Sequence, residues 1–248
     1  MPVPPTSTAT MVRTEGVSKT YGVGATQVLA LDHVSLALPS GQFTAIMGPS
    51  GSGKSTLLHC VAGLDTVDSG RIWIDDTEVT ALDEKGRTQL RRDRLGFVFQ
   101  SFNLIPSLTA LENITLPSQL AGREPDGAWL DQVIDALSLR DRLHHRPAEL
   151  SGGQQQRVAA ARAMVARPAV IFADEPTGNL DSVSGAELLA FMRRAVEEFG
   201  QTIVMVTHDP VAAARADQVV FLADGQVNAT LDAPTVDTIL DRIRSLER

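Results

Sequence analysis

Nine consecutive residues, 48–56, read GPSGSGKST and have the composition needed to bind a chain of phosphate groups. Their spacing fits G-x-x-x-x-G-K-[ST], with Gly48, Gly53, Lys54 and Ser55 in register. The glycines let consecutive backbone N–H groups turn inward, Lys54 can reach the β- and γ-phosphates, and the Ser55 hydroxyl can ligate Mg²⁺. We therefore predict a nucleoside triphosphate site to which the whole loop contributes: Gly48, Pro49, Ser50, Gly51, Ser52, Gly53, Lys54, Ser55 and Thr56.

The residues on either side place this loop between a strand and a helix. Residues 43–47, FTAIM, form a short apolar run before the loop. A helix that begins at the loop directs its N-terminal amides and partial positive charge at the phosphates. A flexible Gly/Ser linker, which is the alternative, would not lie between an apolar strand and an amphipathic helix. The apolar residues that recur at helical spacing after the loop are Leu57, Leu58, Val61 and Leu64.

Two adjacent carboxylates follow a second apolar run, residues 170–173. Asp174 is placed to orient Mg²⁺, directly or through water, and Glu175 is placed to polarise the water that attacks the γ-phosphate. Successive side chains of a strand point to opposite faces, so both can serve one site only if the backbone turns, which Pro176 favours. An acidic turn after a strand is the alternative, and the upstream phosphate loop makes it the weaker one.

Three further side chains follow predicted strands and are candidates for the same site. Gln100 can contact Mg²⁺ or the attacking water without adding a charge. His208 is placed to hydrogen-bond both the γ-phosphate and Glu175, and Tyr21 to stack on an adenine ring. Each has an ordinary alternative, which is a surface glutamine, a structural histidine or a half-exposed aromatic residue.

Composition limits the class of protein. The chain has 248 residues, a net charge of −8 and a single cysteine, Cys60. The acidic balance argues against nucleic acid as a partner, and no apolar run approaches the ~20 residues of a membrane-spanning helix. Cys60 lies among apolar residues, which favours a buried structural thiol in a reducing compartment. Residues 1–10 lack the features of a secretion signal and are expected to fray, so the compartment is predicted to be the cytoplasm.

Short apolar runs alternate with helical patterns along most of the chain. This predicts an α/β fold whose mostly parallel sheet is covered on both faces. Two runs before the phosphate loop, 12–21 and 28–37, are expected to form an antiparallel β layer that is one wall of the nucleotide site. Later strands are expected at 71–75, 96–99, 170–173, 203–206 and 219–222, and helices at 83–94, 151–166 and 184–199.

The same patterns suggest how the chain is divided. Between residues 109 and 150 the pattern becomes helical and more polar, which predicts a helical subdomain, about 101–165, inserted in the core. A clean helical stripe of apolar residues ends the chain. We therefore expect a flexible N-terminus (1–10), a nucleotide-binding domain (11–227) that contains the insertion, and a C-terminal helical extension (228–248).

Residues 150–154, LSGGQ, resemble the signature motif of ABC-type ATPases, and the resemblance extends over nearly the whole chain, from about residue 12 to residue 227. It implies that 11–227 is an ABC ATPase domain that binds ATP and Mg²⁺. It also implies that the signature of one subunit closes on the ATP held by a second copy, so that two chains enclose two ATP molecules. The matching positions are Tyr21 for adenine stacking, Gln100 in the Q-loop, the signature Ser151, Gly152, Gly153 and Gln154, Asp174 and Glu175 as Walker B aspartate and base, Asp181 in the D-loop, and His208 as the switch histidine.

Residues 96–106, 108–114 and 154–157 resemble, more narrowly, the macrolide-export and lipoprotein-release subfamily, with the cell-division ATPase as a near relative. This resemblance implies a four-helix membrane permease with a large extracytoplasmic domain as partner. The chain would then act at the cytoplasmic side of the cell membrane, peripherally through the permease, whose coupling helix is expected to dock on residues 102–108.

Two rival functions remain open on the sequence. One is a soluble ABC ATPase that acts on nucleic acid or ribosomes, although the coiled coil, zinc module or second ATPase domain typical of those proteins is not seen in this sequence. The other is a kinase or GTPase with a phosphate loop, although the N-K-x-D run that usually reads guanine is missing.

Overall fold

A computed structural model describes residues 9–246, apart from the side chain of Ala25. Two predicted segments lie partly outside this range: residues 1–8 of the N-terminus that was expected to fray, and residues 247–248 of the expected C-terminal extension. The strands are β1 (Thr10–Tyr21), β2 (Val28–Pro39), β3 (Phe43–Met47), β4 (Ser69–Ile74), β5 (Thr77–Glu78), β6 (Leu95–Phe99), β7 (Val170–Asp174), β8 (Thr202–Val206), β9 (Gln218–Ala223) and β10 (Gln226–Asp232). The helices are α1 (Lys54–Val61), α2 (Glu84–Arg94), α3 (Ala110–Leu120), α4 (Gly127–Ala136), α5 (Gly152–Val165), α6 (Ser182–Phe199), α7 (Pro210–Ala213) and α8 (Val236–Leu246).

Two sheets organise the molecule. The first is antiparallel, with the order β2-β1-β4-β5. The second has the order β10-β9-β3-β8-β7-β6, and all its pairings are parallel except that of β10 with β9. The predicted α/β fold with an antiparallel layer before the phosphate loop is thus observed.

The second sheet lies between two apolar layers, because its inner strands β3, β7, β8 and β9 are buried on both faces. On β7, Val170 and Phe172 pack in the cluster that contains α1 and the antiparallel sheet. Ile171 and Ala173 point the other way, into the cluster that contains α3, α4, α5 and α6. The carboxyl ends of β3, β6, β7 and β8 therefore meet at one edge, where the loops that follow them can share one site.

Helices α3, α4 and α5 occupy the chain between β6 and β7, where the helical insertion was expected. The indole of Trp129 on α4 is buried, donates a hydrogen bond from Nε1 to the carbonyl oxygen of Met164 on α5 (3.3 Å), and meets Phe199 of α6 edge-on at 5.0 Å between ring centroids. These helices share one apolar cluster with the central strands. The division into subdomains remains a proposal.

The end of the chain differs from the prediction. Residues 228–232, assigned to a helical extension, lie in strand β10, and the helix α8 begins at Val236. Strand β10, QVNATLD, alternates between exposed and half-buried residues at the edge of the sheet, so it lacks the apolar run by which the other strands were recognised. Among residues 9–246, no helix combines the length and the apolar character needed to cross a bilayer.

Candidate functional site

The loop 48–56 connects the carboxyl end of β3 to α1, and two of its glycines lie against neighbouring backbone. A Cβ atom on Gly48 would lie 1.9 Å from the carbonyl oxygen of Leu222, and one on Gly53 would lie 2.2 Å from that of Ala30. Gly53 also has a φ of +95°, in the left-handed region. Both positions therefore accept glycine only, and the strands β2 and β9 help to shape the loop.

Lys54 is the first residue of α1, and its side chain folds back over the loop. Its Nζ donates hydrogen bonds to the carbonyl oxygens of Gly48 (2.9 Å) and Pro49 (2.7 Å). Burial lowers the pKa of Lys54, and the negative charges of Glu175 and then Asp174 oppose that shift. The ammonium group is thus held above the loop, where phosphate oxygens can replace the two carbonyls.

Ser55 and Asp174 come together although they are distant in sequence. Ser55 Oγ donates to Asp174 Oδ1 over 3.1 Å, and Nε2 of His59, one turn further along α1, lies 3.6 Å from Asp174 Oδ2. A hydroxyl and a carboxylate oxygen suit Mg²⁺, which is usually bound by one or two protein ligands together with substrate phosphates and water. The described residues contain no cluster of three or more His, Cys, Asp or Glu that could hold a metal by itself.

Glu175 and Asp174 contact different partners, and the backbone turns between them, as their two predicted roles required. The φ of Glu175 is +47°, so the backbone turns at Glu175, and its N–H donates to the carbonyl oxygen of Val206 over 2.9 Å. Its Oε1 lies 2.8 Å from Nδ1 of His208, which follows β8 and is largely exposed. The structure therefore brings Glu175 and His208 into contact while Asp174 contacts Ser55.

Gln100 lies after β6, but its side chain contacts neither Ser55 nor Asp174 by a hydrogen bond. Its Nε2 donates to Oδ1 of Asn179 (3.1 Å), and Nδ2 of Asn179 donates to the carbonyl oxygen of Gln100 (3.0 Å). Gly178 leaves room for this pair, since a Cβ there would lie 2.7 Å from Gln100 Nε2. The predicted contact of Gln100 with Mg²⁺ or the attacking water stays a prediction.

The signature and D-loop residues lie side by side at the starts of α5 and α6. Ser151 caps α5, because its Oγ accepts from the N–H of Gln154 (3.3 Å), whose Oε1 accepts from the N–H of Ser151 (2.9 Å). Asp181 caps α6 through the N–H groups of Val183 and Ser184, and its hydrogen bonds to Ser184 hold its pKa below the usual value. These side chains therefore serve their own helices in the single chain.

Contact between α5 and α6 is close at that point. A Cβ on Gly153 would lie 2.4 Å from Oγ of Ser184, so glycine lets the two helix starts approach each other. Gly152 faces Phe102, whose ring would lie 3.7 Å from a Cβ there.

Tyr21, the expected adenine-stacking residue, ends β1. Its hydroxyl donates to Oδ2 of Asp65 over 2.7 Å, and the residue is 41% exposed. Burial of the hydroxyl and the bond to Asp65 raise the pKa of Tyr21 to about 12. The nearby hydroxyl of Thr56, at the end of the phosphate loop, opposes this rise in the pKa of Tyr21.

Gln156 belongs to the motif 154–157 that carries the subfamily resemblance, but no role in this region was predicted for it. Its side chain is fully buried on α5, and its Nε2 donates to the carbonyl oxygen of Phe99 (3.2 Å) and to that of Pro176. It thereby joins α5 to the residue before Gln100 and to the residue after Glu175. Its helical spacing from Gly153, Ala160 and Ala163, which are also buried, was the signal that could have revealed it.

The comparison with known families decides between the rival functions. Residues 31–178 match the family model described as ABC transporter. This chain belongs to the ABC transporter family. It is the ATP-binding, ATP-hydrolysing type of subunit, as the resemblance implied, and nothing in the comparisons supports the nucleic-acid alternative.

Other members of the ABC transporter family align over most of the chain. It is 44% identical over 224 residues to an uncharacterized ABC transporter ATP-binding protein of Methanocaldococcus jannaschii, covering 88% of this chain and 95% of that protein. It is 43% identical over 219 residues to a macrolide export ATP-binding/permease protein of Marinobacter nauticus, but covers only 34% of that protein's length. The fold also matches a solved dimeric ATP-binding cassette in a post-hydrolysis state bound to ADP and Pi, with a TM-score of 0.82, 42% identity, and 91% and 100% of the two chains covered.

Proposed function

We propose that this chain is the ATPase subunit of a bacterial ABC transporter and drives a separate membrane permease through ATP-dependent dimerisation. The observation that carries the proposal is the meeting of loops from β3, β7 and β8 at one edge of the sheet. There Lys54 lies over the phosphate loop, Ser55 contacts Asp174, and Glu175 contacts His208. The dimeric cassette bound to ADP and Pi, which shares this fold, supports it.

The proposed roles follow from these contacts. Loop 48–56 and Lys54 bind the β- and γ-phosphates through N–H groups and an ammonium charge. Glu175 accepts a proton from the attacking water, and His208 orients Glu175 through Nδ1 while its other nitrogen can reach the γ-phosphate. Ser55 and Asp174 would hold Mg²⁺, which neutralises charge on the phosphates when bound. Tyr21 provides a surface for the adenine, and Gln100 is proposed to contact Mg²⁺ or the attacking water.

The second copy completes the site in this proposal. Ser151, Gly152, Gly153 and Gln154 begin α5, where free amides and the helix dipole can bind an anion, and Asp181 lies beside them. In the single chain their polar groups cap their own helices, so their nucleotide contacts are expected across the dimer.

The partner is proposed to be a four-helix permease with an extracytoplasmic domain, on the cytoplasmic side of the membrane. The macrolide export relative carries ATP-binding and permease functions in one longer protein, which supports such a partner. Residues 102–108 are proposed to receive it. Phe102 and Asn103 have positive φ values, and Ile105 is 39% exposed beside them.

The experiment that tests this function is ATP-dependent dimerisation of the full chain. Glu175→Gln is expected to retain ATP binding, lower ATP turnover by about 100-fold or more, and form a dimer with ATP in gel filtration, because it removes only the base. Adding Ser151→Arg is expected to abolish that dimer while each monomer still binds ATP. Ser245→Arg, on the exposed face of α8, is the matched control and should leave the dimer intact.

Phosphate release near the unmutated rate in Glu175→Gln would exclude Glu175 as the base. An ATP-induced dimer that survives Ser151→Arg would exclude the shared site. In cells that express the permease, the chain is expected to sediment with the membranes and not with ribosomes or DNA.

A further inference from the structure

The aromatic ring at the proposed adenine site is held by a residue that the sequence analysis did not assign. Asp65 lies in the loop after α1 and accepts a hydrogen bond from the hydroxyl of Tyr21 over 2.7 Å. The same carboxylate accepts from Nζ of Lys19 over 3.0 Å and from the N–H of Thr66 over 2.7 Å. Both of its oxygens are therefore used, and its position is fixed.

Lys19 contributes a second contact to the ring. Its side chain is only 10% exposed, and its Nζ lies 5.0 Å from the centroid of the Tyr21 ring. A cation at this distance is attracted to the electron-rich face of an aromatic ring. Tyr21 is thus restrained at its hydroxyl by Asp65 and at its ring by Lys19.

The ionisation state of Asp65 also favours its hydrogen bond with Tyr21. Burial raises the pKa of Asp65, but the hydrogen bonds from Tyr21, Lys19 and Thr66 outweigh burial and leave that pKa below its usual value. Asp65 is therefore a carboxylate at neutral pH, and Tyr21 is a neutral donor. Hydrogen bonds of this kind, between a neutral donor and a charged acceptor, are shorter and stronger than neutral ones.

A structural tyrosine normally buries its ring, whereas Tyr21 keeps 41% of its surface exposed next to Thr56 of the phosphate loop. Two restraints on an exposed ring have no packing purpose that the contacts reveal. They do reduce the rotamer freedom that the ring would lose when a flat ligand stacks on it.

We propose that Asp65 and Lys19 are positioning residues that fix the ring of Tyr21 as a platform for the base of the bound nucleotide. The proposal rests on the proposed function, in which loop 48–56 binds the phosphates. It predicts that Asp65 affects the binding of nucleotides but not of phosphate chains without a base.

The test measures binding to the full chain by calorimetry with two probes, ADP and inorganic tripolyphosphate. Tyr21→Ala is expected to weaken ADP about tenfold, as loss of one base–aromatic stack does. Asp65→Ala and Tyr21→Phe each remove one end of the same hydrogen bond and should weaken ADP about three- to fivefold. The double variant should be no weaker than either single one, and tripolyphosphate binding should be unchanged in all four.

A spectroscopic measurement tests whether Asp65→Ala releases the hydroxyl of Tyr21 from its hydrogen bond. Tyr21 is the only tyrosine of the chain, so its ionisation can be followed by near-ultraviolet absorbance without interference from another phenol. The pKa of Tyr21, raised to about 12, should fall towards the ordinary value of about 10 in Asp65→Ala. Asp76→Ala, which removes an exposed carboxylate elsewhere, is the matched control and should change neither this pKa nor ADP binding.

The outcomes separate this proposal from the proposed function. If Tyr21→Ala leaves ADP binding unchanged, no base stacks on Tyr21 and the stacking role itself fails. If Tyr21→Ala weakens ADP but Asp65→Ala does not, stacking stands and the positioning role is overturned. Equal weakening of tripolyphosphate by Asp65→Ala would also overturn it. Should Asp65→Ala fail to fold, Asp65→Asn keeps an acceptor oxygen and is expected to weaken ADP less than Tyr21→Phe does; a larger effect would overturn the proposal.

Discussion

At the scale of single residues, the site depends on side chains that stay charged although they are partly buried. Lys54 must remain an ammonium ion to bind phosphate, although burial lowers its pKa. The carboxylates of Glu175 and Asp174 oppose that shift, so the groups proposed for hydrolysis also help to keep the phosphate-binding group charged.

Lys54→Ala is therefore expected to weaken ATP binding at least about 100-fold, because charge-assisted hydrogen bonds to the phosphates are lost. Calorimetric titration of the purified chain measures this. Lys85→Ala, which removes an exposed lysine on α2, is the control. An unchanged affinity in Lys54→Ala would contradict the proposed role of Lys54.

Cys60 is buried on α1, as expected from the sequence, and burial raises the pKa of its thiol to about 12. We expect thiol reagents to label it only after unfolding. The unfolded thiol ionises near its ordinary pKa of about 8.5, so the thiol contributes to stability below that pH and loses this contribution as pH rises towards 12. Denaturant titrations above pH 8.5 should therefore show a steeper loss of stability for the native chain than for Cys60→Ala, and equal slopes would refute the linkage.

At the scale of elements, the phosphate loop keeps its shape because neighbouring strands leave no space for larger residues. Gly53→Ala would place a Cβ 2.2 Å from the carbonyl oxygen of Ala30 on β2. Gly51 has a φ of +80° but nothing within 4 Å of its would-be Cβ, so it provides a matched comparison.

We expect Gly53→Ala to lower the unfolding free energy by about 3 kcal/mol, through strain and overpacking, and to abolish ATP binding. Gly51→Ala carries only the left-handed strain of about 1–2 kcal/mol. Chemical denaturation of both variants checks the difference. Equal losses of unfolding free energy in the two variants would mean that contact with β2 does not determine the conformation of the loop.

Much of the fold and of the candidate site could be predicted from the sequence, because local chemistry there requires particular residue types. The phosphate loop, the strand before it and the adjacent carboxylates were predicted because glycine spacing and apolar runs leave few alternatives. Strand β10 was missed because an edge strand has no continuous apolar run. Asp65 and Gln156 were missed because their roles depend on partners brought together by the fold, such as Tyr21 and Pro176, which no local pattern reveals.

At the scale of the whole molecule, Gln156 connects the helical region to the site. Its amide donates to the carbonyl oxygens next to Gln100 and Glu175, while α5 carries the signature residues at its start. We therefore expect a movement of α5 to act on both of these loops at the sheet edge through Gln156.

Gln156→Leu is expected to lower the unfolding free energy by about 2 kcal/mol, because the carbonyl oxygens of Phe99, which is half-buried, and Pro176, which is buried, lose their donor. It should also lower the ATPase rate about tenfold while ATP affinity is retained. Gln155→Leu, which removes a half-exposed contact to Leu150, should cost no more than about 1 kcal/mol and leave the rate unchanged. A normal rate in Gln156→Leu would show that Gln156 affects stability alone.

The capping of α5 by Ser151 bears on how quickly two chains can engage. The hydrogen bond from the N–H of Gln154 to Oγ of Ser151 fixes the rotamer of Ser151, while the hydroxyl group of Ser151 can still donate its hydrogen to another acceptor. On meeting a partner's triphosphate it would need no rearrangement and would lose little entropy. If two chains share the site as proposed, Ser151 itself then adds no conformational step to their association.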